Sequence, residues 1–440
     1  MSSILIGILC MATFIVLMFL GVPVPFSMLV PAVIGLAVIK TPKAAVQMLS
    51  GDFIAYFSNY TLTVGPLFGL MGFFASYSGL GSQLFTTLNA YIGHKKGGLA
   101  SATVIACTFF GAICGSVPAT ISTMSAVAYP EMRKAGYSAD ISGAVIAAAP
   151  TIAILIPPSS NFIIYGMATS TSIGALFMGG IGPGILLTVL DILAVKYTAL
   201  RHPDWTPASE KATWKERWAA TKSGGVIEIF IVFIIAMGGM FAGLFTTTEA
   251  SAVGAVGMLI VLLFRKKMSW PKFWLAAEAG ARLMAMVFTL LACAAVFGKM
   301  FTVSGIPAAL GKFVASLDVP GWAVVGVIII IYFILGMFAD LLSMMLVTLP
   351  VFFPIVCTQL GYSPVWFGIV LTILVGIGGI TPPVGNGVFM TRGCISWDPD
   401  GSVKTIFNGV WPFVIVSLLA AVILVFVPQI CTFLPDLLMG

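Results

Sequence analysis

The sequence predicts an all-α polytopic membrane protein built from two inverted-topology repeats, each with a re-entrant helical hairpin and a broken helix. Three observations lead there. Of 440 residues, 60% are hydrophobic and only 8% charged, whereas soluble domains carry roughly a quarter charged residues. The apolar runs are continuous rather than alternating, so they read as helices and not as barrel strands. Finally, the second half repeats motifs of the first. Gly136-Tyr137-Ser138 recurs as Gly361-Tyr362-Ser363, Pro157-Pro158 as Pro382-Pro383, Asn161 as Asn386 and Gly111 as Gly336, every pair 225 positions apart.

The elements follow in order. Repeat 1 covers 1–200. It holds scaffold helices within 3–77, a surface arm helix at 78–97, a hairpin at 98–135, a broken helix at 138–170 and a helix at 173–199. Residues 3–20 lack a basic leader and read as a retained first helix. A hydrophilic cytoplasmic linker occupies 201–223. Repeat 2 covers 224–440, with scaffold helices within 224–300, an arm at 303–318, a hairpin at 320–360, a broken helix at 363–395 and a helix at 404–433. Ser78-Gly79 and Ser304-Gly305 open the two arms, 226 positions apart. Each hairpin returns to its starting side, so repeat 1 makes an odd number of crossings. Repeat 2 then enters from the opposite face, the commonest plan of secondary transporters.

The basic residues orient the chain. With this topology 17 of the 21 Lys and Arg fall on one side, and Lys40, Lys43, Lys299 and Lys312 on the other. The richer side is cytoplasmic, which places both termini outside. The net charge of +6 therefore reports topology and not nucleic-acid binding. An intramembrane enzyme is also excluded: His94 and His202 lie in polar loops, with no Ser-His or Cys-His pair in a span. The seven cysteines form no CxxC and read as small core residues.

The chemistry is expected at the interruptions. The first hairpin tip reads Gly115-Ser116-Val117-Pro118-Ala119-Thr120, and the second runs from Gly336 to Asp340 and Ser343. Such exposed backbone is tolerated at depth only beside a cavity or inside protein. Consecutive prolines remove two amide donors. Each Pro-Pro therefore frees carbonyls for a hard cation and starts a short helix, with Asn161 and Asn386 as expected N-caps. That helix N-terminus favours an anion. Asp340 is the one acidic residue at a tip; a carboxylate at mid-bilayer costs about 2.5–3.5 kcal/mol and calls for a cation or proton. Glu249 has capping-box spacing from Thr246. Asp191 and Glu228 are expected to pair with nearby basic groups, and Arg392 is a carboxylate-clamp candidate at the cytoplasmic rim. The segment from Ser269 to Leu275 is expected to lie on the membrane surface as an amphipathic helix.

These residues carry a resemblance. Gly115-Ser116-Val117-Pro118-Ala119-Thr120, Pro130-Glu131-Met132, Ile156-Pro157-Pro158-Ser159, Gly243 to Ala250 and Thr381-Pro382-Pro383-Val384-Gly385 together resemble the large membrane subunit (M subunit, DctM-like) of tripartite ATP-independent periplasmic (TRAP) transporters, in the ion-transporter superfamily. Two departures stand out. Thr247 sits where the family usually has Pro, and Val117 where it often has Ser.

The resemblance implies an elevator-type, Na⁺-coupled importer in the bacterial inner membrane. It implies a small four-helix membrane subunit, a periplasmic substrate-binding protein and a small organic anion as substrate. It places one Na⁺ site at Ser116 and Asn161, and the inverted site at Asp340, Thr381 and Asn386. Substrate would lie near Ser116, Thr120, Ser160, Asp340 and Gly385. The alternative is a stand-alone Na⁺ or H⁺ dicarboxylate symporter of the same superfamily, needing no binding protein.

Overall fold

A computed structural model describes residues 2–208, 211–223, 226–337 and 341–439. Among these the regular structure is entirely helical. Five helices are long and apolar enough to cross a membrane, by length and composition: Ile173–Arg201, Thr247–Phe264, Trp270–Ser304, Leu342–Gln359 and Val403–Phe426. Shorter apolar helices, including Gly98–Cys114 and Gly321–Gly336, supply the hairpin arms and the first halves of the broken helices. Large side chains such as Ile34, Ile185, Leu263 and Ile415 are exposed, as expected of a lipid-facing surface.

A central body is formed by the two hairpins, the two broken helices and the helices that follow them. The first hairpin is Gly98–Cys114 and Val117–Lys134; the second is Gly321–Gly336 and Leu341–Phe353. The broken helices pair Ala139–Ala148 with Ser160–Thr169, and Pro364–Gly378 with Asn386–Cys394. Helix Val403–Phe426 packs along Ala139–Ala148, with Gly409 against the Asp140 carbonyl. There a Cβ would lie 2.3 Å from that oxygen, so only glycine fits. The outer layer holds Ser3–Phe19, Val24–Ile39, Pro42–Phe57, Val64–Tyr77, Thr247–Phe264 and Trp270–Ser304.

The same local devices occur twice. Ser78 Oγ donates to the Ala75 carbonyl and accepts from the Leu80 amide (2.6 and 3.0 Å), and Ser304 does the same with Phe301 and Ile306 (2.7 and 3.3 Å). Gly79 and Gly305 follow with φ of +76° and +79°. Gly136 and Gly361, at +83° and +73°, turn each hairpin into its broken helix. Both Pro-Pro bonds are cis.

Several expectations change. Within the scaffold segment 3–77, residues 42–57 form a helix of their own. The linker contains a helix, Trp214–Ser223, docked on arm helix Leu80–Ile92 through Arg217 Nε to the Ala90 carbonyl (3.1 Å). The segment Ser269 to Leu275 is not a separate surface helix: Trp270–Ser304 is one 35-residue helix, about 52 Å long at 1.5 Å per residue. The last helix ends at Phe426, before Pro428, and a second one runs from Gln429 to Met439.

Candidate functional site

The first hairpin tip and the first helix break meet. Gly115 caps the outer arm in a left-handed conformation (φ +57°), and Ser116 N-caps the return arm by accepting from the Ala119 amide at 3.5 Å. A Cβ on Gly115 would lie 2.4 Å from the Pro158 carbonyl oxygen, so the tip touches the proline motif backbone to backbone. Ser160 Oγ then donates to the Gly115 carbonyl at 3.1 Å. Ser116 and Ser160 are half-buried. Thr120 is fully buried, with its hydroxyl donated to the Ser116 carbonyl (2.8 Å) and 3.2 Å from Cys114 Sγ. It braces the tip from within.

The N-caps differ from the sequence expectation. Ser159, not Asn161, caps Ser160–Thr169, accepting from the Phe162 amide at 3.3 Å while donating to the Ile154 carbonyl at 2.5 Å. Ser fits because one hydroxyl satisfies both a freed carbonyl before the break and an orphan amide after it. Asn161 thereby falls in the first turn. It is 3% exposed, and its Nδ2 has no hydrogen-bond partner. Buried polar groups are nearly always paired, so these Nδ2 donors are left open to an acceptor at the break.

The second break is built differently. Gly385, not Asn386, takes the cap position, with φ +54° and no side-chain cap bond. Thr381 is fully buried and donates to the Ile377 carbonyl at 2.7 Å. The Gly387 amide reaches back across the break to the Gly379 carbonyl at 2.8 Å. Asn386 is exposed where Asn161 is buried. A Cβ on Gly387 would meet the Ala147 carbonyl at 3.2 Å, so this short helix rests on the other broken helix. Asp340 lies outside the described residues. Among those described, no group of three His, Cys, Asp or Glu converges. A cation at the first break would therefore rely on carbonyl, hydroxyl and amide oxygens, which suits a hard ion.

Beyond the helix breaks, the end of the first hairpin is tied to the loop that follows the second broken helix. Arg133, at the end of the first hairpin, binds Asp398 (2.8 Å) and Asp400 (2.6 Å), which follow the second broken helix. Tyr129 donates to the same Asp398 oxygen at 2.8 Å. Arg392 is not placed as a substrate clamp. Its guanidinium donates to the Asp398 and Gly401 carbonyls at 2.9 and 3.1 Å, folding its own loop. Glu228 pairs with Arg265 at 2.7 Å. Asp191 pairs with nothing in the basic loop: it is 1% exposed and its Oδ1 has no partner. Thr246 and Glu249 form the expected capping box. The cysteines are all free; Cys394 alone is exposed and Cys357 is half-buried.

With this geometry in place, comparison with known proteins is informative. Residues 11–430 match the family described as "Tripartite ATP-independent periplasmic transporter, DctM component". The ectoine/5-hydroxyectoine TRAP transporter large permease protein UehC of Ruegeria pomeroyi is 35% identical over 427 residues, covering 97% of both chains. The C4-dicarboxylate TRAP transporter large permease protein DctM of Pseudomonas aeruginosa is 33% identical, covering 86% of this chain and 87% of that one. The isethionate TRAP transporter permease protein DctMQ of Oleidesulfovibrio alaskensis is 31% identical over 96% of this chain, which spans only 65% of that longer protein. The Alcanivorax borkumensis YdaH transporter shares the fold, with a TM-score of 0.57 at 16% identity over 88% of each chain. This multi-pass membrane protein belongs to the DctM family, the large permease component of tripartite ATP-independent periplasmic transporters.

Proposed function

We propose that this chain carries out Na⁺-coupled import of a small organic anion, a carboxylate or sulfonate, received from a periplasmic binding protein. The hairpins and broken helices would move as one body against the outer layer, in an elevator motion. The observation that carries the anion part of this reading is Asn161: its buried Nδ2 donors have no partner at a proline-broken helix, one residue from the Ser160 hydroxyl that grips the hairpin tip at Gly115. Broken helices at matching positions of repeated halves point to transporter binding sites. The relatives' names cover a C4-dicarboxylate, isethionate and ectoines, all small and polar. A small membrane subunit is the expected partner, and the longer DctMQ relative has the extra length that a fused one would add. Both termini are assigned to the periplasmic side from the basic-residue distribution.

The energetics suffice without ATP. One charge moving inward through 100 mV yields about 2.3 kcal/mol, and a tenfold Na⁺ gradient adds about 1.4. Two Na⁺ give about 7.4 kcal/mol, and a monoanion costs about 2.3 of it. The remaining 5 or so supports accumulation on the order of a thousandfold. The test is uptake into proteoliposomes holding this chain and the small subunit, with loaded binding protein outside. Concentrative uptake that requires both a Na⁺ gradient and the binding protein is expected. Equal uptake with K⁺ replacing Na⁺ would overturn the coupling, and uptake by this chain alone would favour a stand-alone symporter.

A further inference from the structure

Away from the hairpin tips, one cleft holds a charge that the site above does not use. It separates the outer layer from the central body and encloses about 320 Å³. One wall is a stripe of helix Trp270–Ser304 that includes Gly298, Lys299 and Thr302, joined by Tyr56 of helix Pro42–Phe57. The other wall is Thr169, at the end of Ser160–Thr169, and Pro350 of the second hairpin. Pro350 sits over Gly298, where a Cβ would lie 3.2 Å from its Cγ. Lys299 is the sole charged residue among those lining the cleft, and it is one of four basic residues that the topology places outside.

Lys299 is held in a particular way. Its Nζ binds Asp52 Oδ1 at 2.5 Å. The Asp52 side chain is 10% exposed and that of Lys299 46%. Lys299 lines the cleft, whereas the more buried Asp52 does not. Asp52 Oδ2 has no hydrogen-bond partner, so Asp52 depends on Lys299 alone. An ammonium has three donors; one is used by Asp52, and two remain for the cleft. The pair is neutral overall, yet an anion entering the cleft meets only its positive end. Low-dielectric walls strengthen that attraction. Tyr56 adds a hydroxyl at the opening, while the Thr169 and Thr302 hydroxyls donate to the Tyr165 and Gly298 carbonyls of their own helices.

We propose that this cleft is an outer anion-capture site, in which Lys299 binds the acid group of a small carboxylate or sulfonate before it reaches the hairpin tips. Asp52 is a positioning residue that holds Lys299 in place through their ion pair. The volume is at the small end of ligand pockets and admits a compact anion. The proposal rests on the anion-import reading for its biological role, but the site is testable without transport.

The test uses this chain with its small membrane subunit in liposomes, carrying Thr302→Cys with Cys357→Ser and Cys394→Ser. Its reaction with sulfonatoethyl methanethiosulfonate, an anion, is compared with that of the cationic trimethylammonioethyl reagent. A rate ratio favouring the anion at least tenfold over that of a free thiol is expected. Lys299→Met should lower the ratio at least fivefold, and Lys299→Arg should retain it. A ratio unchanged by Lys299→Met overturns the proposal. A second arm measures uptake by Lys299→Met and by the neutral double variant Asp52→Asn/Lys299→Met. Apparent KM is expected to rise at least fivefold in both. Full recovery in the double variant would show a structural brace only and would also overturn the proposal. A Lys299-dependent reagent ratio without anion uptake in the unmodified protein would sustain the site and reject the import reading.

Discussion

Gly336 and Gly378 meet backbone to backbone: a Cβ on Gly378 would lie 2.4 Å from the Cα of Gly336. The contact joins the outer arm of the second hairpin to the first half of the second broken helix. It is made again 225 positions earlier, where a Cβ on Gly111 would lie 2.4 Å from the Cβ of Ala153. Small residues at such crossings let helices approach closely in membranes, where packing rather than hydrophobicity drives association. In both repeats the contact holds a hairpin arm hard against the helix that is about to break, which fixes the tip relative to the break.

Alanine at these glycines should therefore loosen the site from a distance. At Gly378 an added methyl meets the Cα, C and O of Gly336 at 2.4, 2.7 and 2.8 Å, whereas at Gly336 it meets the Gly378 Cα at 2.7 Å and the Gly378 N only at an ordinary 3.5 Å. Overpacking of this kind costs about 1–3 kcal/mol. Gly378→Ala is expected to lower the melting temperature in detergent more than Gly336→Ala. The reverse order would mean that the two helices are not in this register.

Asn161 and Asn386 are sequence equivalents with different surroundings, one buried and the other exposed, so only the first can present its amide oxygen to an ion out of water. Asn161→Ala is expected to raise the Na⁺ concentration for half-maximal uptake at least tenfold, and Asn386→Ala to raise it less. Measuring the Na⁺ dependence of uptake for both variants checks this. An unchanged Na⁺ dependence in Asn161→Ala would remove it from the ion site.

How far these features were legible depends on how local their causes are. The hairpins and breaks could be read because glycine and proline act on their own backbone, as at Gly115, Gly136 and Pro157-Pro158. The capping residue was misassigned because Ser159 and Asn161 are both good N-caps, and the choice turned on a carbonyl five residues back, at Ile154. The continuity of helix Trp270–Ser304 beyond Leu275 was hidden by charges. Glu278 and Arg282 interrupt the apolar run but pair with each other on an exposed face, at 2.7 Å. Contacts between distant segments, such as Asp52 with Lys299 or Arg133 with Asp398, leave no local signal at all.

Asp340 lies outside the described residues, so its role rests on chemistry alone: it is the one carboxylate in a hairpin tip. Removing its charge while keeping its size is the informative change. Asp340→Asn is expected to reduce Na⁺-dependent uptake at least tenfold with an unaltered melting temperature. Full uptake with the same Na⁺ dependence would refute the assignment.

The Arg133–Asp398 tie gives the protein an acid-sensitive joint. Burial alone would raise the Asp398 carboxyl, but the Tyr129 hydroxyl, the Asp400 amide and Arg133 outweigh it and hold it below the usual Asp value. An unfolded Asp titrates near about 3.9. A carboxyl lowered in the fold stabilises fully above that value, and the contribution is lost as pH falls through the lower folded value. Hydrogen bonds to charged groups are worth about 1.5–3 kcal/mol each. Asp398→Asn is expected to lower the melting temperature by several degrees at pH 7. The deficit should shrink as the pH falls below about 4, because the unmodified protein then loses the same interaction. Melting curves of both proteins between pH 3 and 7 decide it. A deficit that stays constant across that range would mean that Asp398 acts through its size and not its charge, leaving the two hairpin units joined by packing alone.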